Sequence, residues 1–190
     1  AKWHPDIEVV TAREGGEIHR VSYAELMTRS QRVSAVLEQL GVGFGDRVAT
    51  LAWNTHAHVE AWYAIMGMGA VCHTLNPRLT PEQIAGMVRQ SAARVLIVSA
   101  DLAPLANEVA ERAPSISQIL VIDGPAPRFG AGEAALSVDA LEPLLATAGD
   151  EVVWGRFDER TPSGLCFTSG TPGAPKGVTY THRSGYLHTM

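Results

Sequence analysis

Ten consecutive residues, Thr168-Ser169-Gly170-Thr171-Pro172-Gly173-Ala174-Pro175-Lys176-Gly177, carry three glycines, three hydroxyl side chains and one lysine directly after a short apolar run. Glycine lets the backbone turn tightly and approach a ligand with no Cβ in the way. Successive N–H groups in such a turn form an anion-binding nest, hydroxyls add donors, and lysine supplies a mobile positive charge. Together these are the requirements of phosphate binding. The stretch is not a Walker A loop, in which Gly-Lys is followed by Ser or Thr, because Pro175 precedes Lys176 and Gly177 follows it. A solvated turn between two strands has a similar composition, yet has no need of lysine at a set place among glycines.

The elements that must position this loop follow from the patterning. Residues 7–11 and 18–21, around Glu14-Gly15-Gly16-Glu17, read as a β-hairpin. Ser22 and Glu25 then open a helix with a capping box, Leu26, Val33, Leu37 and Leu40 share one face, and Gly41 ends it. Residues 47–53 form a strand apolar on both faces, the mark of a covered parallel sheet. The alternation continues with a helix over 55–68, a strand over 70–75, and a helix opened by Thr80-Pro81-Glu82-Gln83. A strand over 95–98, a helix capped by Asp101 and a strand over 119–122 come next, then a less ordered stretch over 123–133 and a short helix over 138–145. A strand over 164–168 delivers the loop, 178–181 returns, and Ser184 starts a last helix. This order predicts an α/β fold: a doubly wound, mostly parallel sheet with an N-terminal β-hairpin.

The 190 residues are 46% hydrophobic, enough for one core, and the net charge is −5. With no basic patch interleaved with aromatics, nucleic acid is excluded as the main partner. No apolar run approaches the roughly 20 residues that span a bilayer. The start, Ala1-Lys2-Trp3-His4-Pro5, lacks the apolar core of a secretory signal, so a cytoplasmic protein is expected. Cys72 and Cys166 lie in apolar runs and read as buried thiols. His56 and Glu60 share a helix face, but no third ligand accompanies them. His182 reads as a packing or capping residue as readily as a nucleotide contact. Trp53, Trp62 and Tyr63 read as core and interface aromatics, and Asp6, Asp46 and Asp101 as turn and cap residues.

The loop resembles the phosphate-binding signature of the adenylate-forming, or AMP-binding, superfamily, which includes acyl-CoA synthetases, luciferases and peptide-synthetase adenylation domains. That signature reads approximately Thr-Ser/Thr-Gly-Thr-Thr-Gly-x-Pro-Lys-Gly. Pro172 departs from it, replacing a threonine and removing one backbone donor and one hydroxyl. The likeness extends to Gly45-Asp46-Arg47-Val48, to the step from Glu60 through Gly69-Ala70-Val71, to Asn76-Pro77-Arg78-Leu79 and to Tyr180-Thr181-His182-Arg183-Ser184. The wording between Gly45 and Leu79 is most similar to bacterial fatty-acyl-CoA synthetases.

The resemblance implies an ATP-dependent ligase that activates a fatty or other apolar carboxylic acid as an acyl-adenylate and passes it to coenzyme A, with Mg²⁺. It assigns Thr168, Ser169, Gly170, Thr171, Gly173, Lys176 and Gly177 to the nucleotide, Lys176 to catalysis and Thr168 to the metal. Related synthetases are well over twice this length and often dimerise through their N-terminal domains. Residues 1–190 are therefore expected to be part of an N-terminal AMP-binding domain, truncated after the phosphate loop, inactive alone and homodimeric in the parent. The alternative is a non-catalytic folded fragment acting as a dimerisation or binding module.

Overall fold

The computed structural model describes residues 1–13, 15–128, 136–149, 152–168 and 175–190. Strands β1 (Glu8–Ala12) and β2 (Ile18–Ser22) pair antiparallel as a two-stranded sheet of their own. Ser22 caps α1 (Tyr23–Gln39), its Oγ accepting the Glu25 N–H at 3.2 Å. Leu26, Val33 and Leu37 turn inward, and the chain leaves the helix through Gly41 at φ +76°.

The expected alternation then appears as β3 (Arg47–Leu51), α2 (His56–Gly67), β4 (Val71–Thr74), α3 (Pro81–Ser91), β5 (Val95–Ser99), α4 (Ala103–Arg112) and β6 (Gln118–Ile122). Thr80 and Gln83 form the reciprocal capping box at the start of α3. The chain continues through β7 (Ser137–Ala140), α5 (Leu141–Thr147), β8 (Pro162–Thr168), β9 (Lys176–Thr181) and α6 (His182–Thr189). Among the described residues the main sheet runs β7-β6-β5-β3-β4-β8-β9, parallel throughout except for the β8–β9 pair.

Period-two alternation builds the two layers. Val48, Cys72, Ile97 and Leu120 face a core formed with α1, α2 and α5. Ala49, Leu96, Val98 and Val121 face the opposite core, under α3 and α4. Both faces are thus covered, as a parallel sheet requires. No described helix is long and apolar enough to cross a membrane.

Several expectations are corrected. Residues 138–145 do not form one helix: β7 precedes α5, with Val138 packed inward and Asp139 turned to the Gln118 amide at 2.9 Å. Asp101 caps nothing; it lies in a 3₁₀ turn, Ala100–Leu102, and accepts the Trp53 indole N–H at 2.8 Å. The last helix starts at His182, because the Thr181 hydroxyl takes the cap and Ser184 answers it from the third position. Trp53, Trp62 and Tyr63 are 42%, 43% and 49% exposed. β3 ends before Trp53, and α2 turns Ala61, Ala64 and Ile65 to the core in place of its aromatics. Cys72 is buried and Cys166 half-buried; among the described residues, β8 has the exposed strand β9 beyond it. Of the stretch expected to be least ordered, residues 129–133 lie outside the described residues. Asp123 is anchored by Arg13 at 2.9 Å and the Thr55 hydroxyl at 2.7 Å.

Candidate functional site

β4 and β8 run side by side, with Cys72 opposite Gly164 and His73 opposite Leu165, so their carboxyl ends reach the same edge of the sheet. A contact of 3.4 Å between the Thr74 hydroxyl and Cys166 Sγ continues that pairing towards the loop. Thr168 closes β8, and Lys176, which opens β9, stands directly across the ladder from it. Directly opposed residues of an antiparallel pair project on one face. The Thr168 hydroxyl and the Lys176 ammonium therefore share a face at the mouth of the connection, and both are exposed. Ser169, Gly170, Thr171, Pro172 and Gly173 lie outside the described residues.

The neighbouring pair, Phe167 opposite Gly177, faces the other way. The Phe167 ring lies against the α3/α4 core and 5.1 Å from the His73 ring. A Cβ on Gly177 would come within 3.0 Å of Leu165 Cδ1 and 3.4 Å of the Phe167 ring. Packing on the strand thus gives Gly177 a reason of its own, beside the ligand approach that the sequence suggested.

A cleft of about 650 Å³ opens across the carboxyl ends of β3 and β4, lined among others by Trp53, Thr55, His58, Trp62, Asn76 and Arg78. The connection after β3 packs α2 on one face, and that after β4 packs α3 on the other. Ligands of open α/β sheets bind at such a switch point. The hairpin residues Val9, Val10 and Thr11 wall one side. Sequence reasoning missed this cleft, although Asn76-Pro77-Arg78 stood out as a strand tail. Burial lowers the His58 pKa, with the Trp53 carbonyl working against the shift. Nδ1 lies 3.1 Å from that carbonyl, which can only accept, so Nδ1 carries the proton and Nε2 accepts from the Thr50 hydroxyl at 3.0 Å. With both ring nitrogens engaged, His58 braces the wall.

His73 lies under the loop strand and is fully buried. The Ser91 hydroxyl donates to the Val88 carbonyl and accepts from His73 Nδ1 at 3.0 Å, while Nε2 has no partner among the described residues. Burial pushes the His73 pKa down to about 4. A histidine with a depressed folded pKa contributes full stability above its unfolded value, near 6.5, and loses it as pH falls towards the folded value. Stability is expected to drop by about 2 kcal/mol between pH 7 and pH 5 through this group. Urea unfolding of the protein and of His73→Gln at both pH values checks this, and an equal drop in the two proteins would exclude it.

The remaining candidates serve packing. His56 Nδ1 lies 3.2 Å from the Thr11 hydroxyl and its ring stacks on His19 at 4.1 Å, while Glu60 pairs with Arg29. His182 packs on Phe157 at 4.7 Å and its backbone N–H donates to the Thr161 carbonyl, in keeping with the packing reading. Asp46 accepts the Gly43 N–H at 2.9 Å as a turn residue should. Among the described residues no group of three or more His, Cys, Asp or Glu could hold a metal ion. Thr168 brings one neutral hydroxyl, whereas Mg²⁺ needs a near-octahedral set of oxygens that includes carboxylates or phosphates. The described residues alone do not make a magnesium site.

Known proteins match this arrangement along its length. The family described as AMP-binding enzyme matches residues 1–190. A 3-methylmercaptopropionyl-CoA ligase of Ruegeria lacuscaerulensis is 36% identical over 190 residues, covering 100% of this chain and 35% of that protein. A long-chain-fatty-acid–CoA ligase of Thermus thermophilus is 42% identical over 183 residues, covering 96% of this chain and 32% of that protein. A solved fatty acyl CoA synthetase of Mycobacterium tuberculosis shares the fold, with a TM-score of 0.79 and 23% identity over 97% of this chain and 33% of that one. The chain thus spans about a third of the length of the curated relatives it matches. With every residue inside the family match, the chain belongs to the AMP-binding enzyme family.

Proposed function

We propose that the protein carrying this chain is an AMP-forming carboxylate–CoA ligase, and that residues 168–177 hold the phosphates of ATP. The observation that carries the proposal is the placement of Thr168 and Lys176 side by side at the mouth of a glycine-rich connection, on the carboxyl edge of a parallel sheet. The ligase names of the curated relatives support the reaction class, and those that act on fatty acids favour an apolar acid as substrate.

The chemistry takes two displacements. A carboxylate oxygen attacks the α-phosphorus of ATP, the bond to the bridging oxygen of the β-phosphate breaks, and pyrophosphate leaves. The coenzyme A sulfur then attacks the acyl carbon, its proton is lost, and the mixed anhydride breaks to release AMP. Lys176 acts in the first step. Its ammonium, with the Thr168 hydroxyl beside it, faces the β- and γ-phosphates and offsets the charge that grows on the departing pyrophosphate. Magnesium would be held chiefly by the phosphate oxygens, with the Thr168 hydroxyl as one neutral ligand, and would supply charge neutralisation on the phosphates.

The whole protein is expected to exchange labelled pyrophosphate into ATP only when a carboxylic acid is present. Stoichiometric ADP in place of AMP and pyrophosphate would exclude the assignment.

A further inference from the structure

β9 has β8 on one side and, among the described residues, no strand on the other, so its register rests on the β8 ladder and on the side chains that cross it. A slip by one residue would turn Lys176 off the face it shares with Thr168, and a slip by two would carry it a full step along the ladder. Gly177 is the single glycine of β9 and stands opposite Phe167. Phe167 and Leu165, two apart on β8, both lie over it: a Cβ there would meet Leu165 Cδ1 at 3.0 Å and the Phe167 ring at 3.4 Å. An aromatic ring laid across a glycine of the neighbouring strand pins register. Shifting β9 by one would bring Lys176 or Val178 under that ring, and shifting it by two would bring Pro175 or Thr179. Each carries the Cβ for which there is no room.

Phe167 is itself held from beneath. Its ring lies against the α3/α4 core and 5.1 Å from the His73 ring. His73 stands beside Leu165 in the β4–β8 ladder, so His73, Leu165 and Phe167 share one face. The fully buried imidazole is tethered through Nδ1 to the Ser91 hydroxyl on α3, and the Ser91 carbonyl accepts the Arg47 Nε–H at 2.7 Å. A line of contacts thus runs from α3 through His73 and Phe167 to Gly177. It ends one residue from Thr168 on β8 and one residue from Lys176 on β9.

We propose that Phe167 and His73 are positioning residues for the phosphate-binding pair: the Phe167 ring over Gly177, backed by His73, locks the register that sets the Lys176 ammonium beside the Thr168 hydroxyl. The role towards phosphate rests on the assignment of residues 168–177 to ATP, whereas the register lock does not.

Two measurements on the whole protein separate these parts. In a Cys166→Ser background, Thr168→Cys with Lys176→Cys places two thiols directly across an antiparallel ladder, a spacing that a disulfide spans. Mild oxidation should close the bridge, and adding Phe167→Ala should slow closure about five- to tenfold, because β9 then visits other registers. Calorimetric titration of ATP gives the second reading, in which affinity reports the geometry of the site and stoichiometry the folded fraction. With Thr168 and Lys176 in place, Phe167→Ala should weaken ATP about tenfold and His73→Ala about threefold, at unchanged stoichiometry. Phe167→Tyr keeps the ring and should stay within about twofold of the parent. A merely structural role would lower stoichiometry and melting temperature and leave affinity alone. If Phe167→Ala does not fold, Phe167→Leu removes the flat ring at similar volume and takes its place. Equal rates of bridge closure with and without the ring overturn the lock. Slower closure with ATP affinity unchanged overturns the positioning role, and Lys176→Ala then locates the fault. If that variant binds ATP normally, the phosphate assignment has failed; if it binds weakly, only the part given to Phe167 and His73 has.

Discussion

Replacing Arg29 by methionine is expected to destabilise the protein by about 3–5 kcal/mol at pH 7. Arg29 Nε donates to Glu60 Oε1 at 2.7 Å, and its terminal nitrogens reach Glu142 on α5. Glu60 is 1% exposed and sits inside the α1–α2 contact, whereas the Glu142 side chain is 63% exposed. Burial raises the Glu60 carboxyl above its ordinary value of 4.5, and the Arg29 hydrogen bond and charge pull it down. The Arg29 pKa is also raised: burial works against its charge, but the bonds to Glu60 and Glu142 outweigh it. Without the guanidinium, only the raising influences act on Glu60. The carboxyl must then stay charged without a partner or take up a proton, and protonation at pH 7 costs about 1.36 kcal/mol per pH unit above its ordinary value, or roughly 3.4 kcal/mol.

Lost packing of the arginine stem adds the remainder of the loss, and only the protonation part depends on pH. In Arg29→Met the folded pKa of Glu60 exceeds the unfolded one, so the variant loses stability as pH rises through the window above 4.5. The deficit should therefore shrink from about 3–5 kcal/mol at pH 7 to about 1–2 kcal/mol at pH 5. Adding Glu60→Gln should recover much of the loss at pH 7, because a neutral amide needs no counter-charge. Urea unfolding of the two single variants and the double variant completes the cycle. An additive result would show that the pair does not couple and that the loss comes from packing of the arginine stem.

This pair was invisible in the sequence, where Arg29 and Glu60 are two ordinary charged residues 31 positions apart on different helices. What was legible is what local chemistry decides. Thr80-Pro81-Glu82-Gln83 announces its helix because the cap and its reply are four residues long. The doubly wound order could be read because β3, β5 and β6 are apolar on both faces and are separated by amphipathic segments. β7 escaped because it is four residues long with one inward apolar side chain, too short for a period to show. The core half of the reading of the exposed aromatics failed for the opposite reason. Trp62 and Tyr63 satisfy any composition rule for a core, yet the narrow face of α2 that meets the sheet is filled by alanines. The residues read as phosphate-binding stood out because they are contiguous in the chain. The cleft at the carboxyl ends of β3 and β4 did not, because Trp53 and His58 follow β3, Asn76 and Arg78 follow β4, and each has a local explanation.

The Thr168–Lys176 register sets the last expectation. In the whole protein, Lys176→Ala should lower kcat/KM for adenylation by about 10²–10³-fold, or roughly 2.7–4 kcal/mol, the usual worth of a preorganised group aimed at developing charge. The loss should be divided between the two constants. The β- and γ-phosphates are already charged in bound ATP, so part of the lysine's attraction is uniform binding and appears in KM. Only the extra charge that forms as the bridging oxygen departs lowers the barrier and appears in kcat. Lys176→Arg keeps the charge on a bulkier group and should recover much of the rate, which a role in shaping the loop would not allow. Folding should be nearly untouched in either variant. The side chain is exposed, on an edge strand, and exposed loop charges contribute little to stability. Pyrophosphate exchange and melting temperature, measured together, separate the alternatives: a fall of several degrees with adenylation intact would make Lys176 a strand residue and leave the phosphates to other groups.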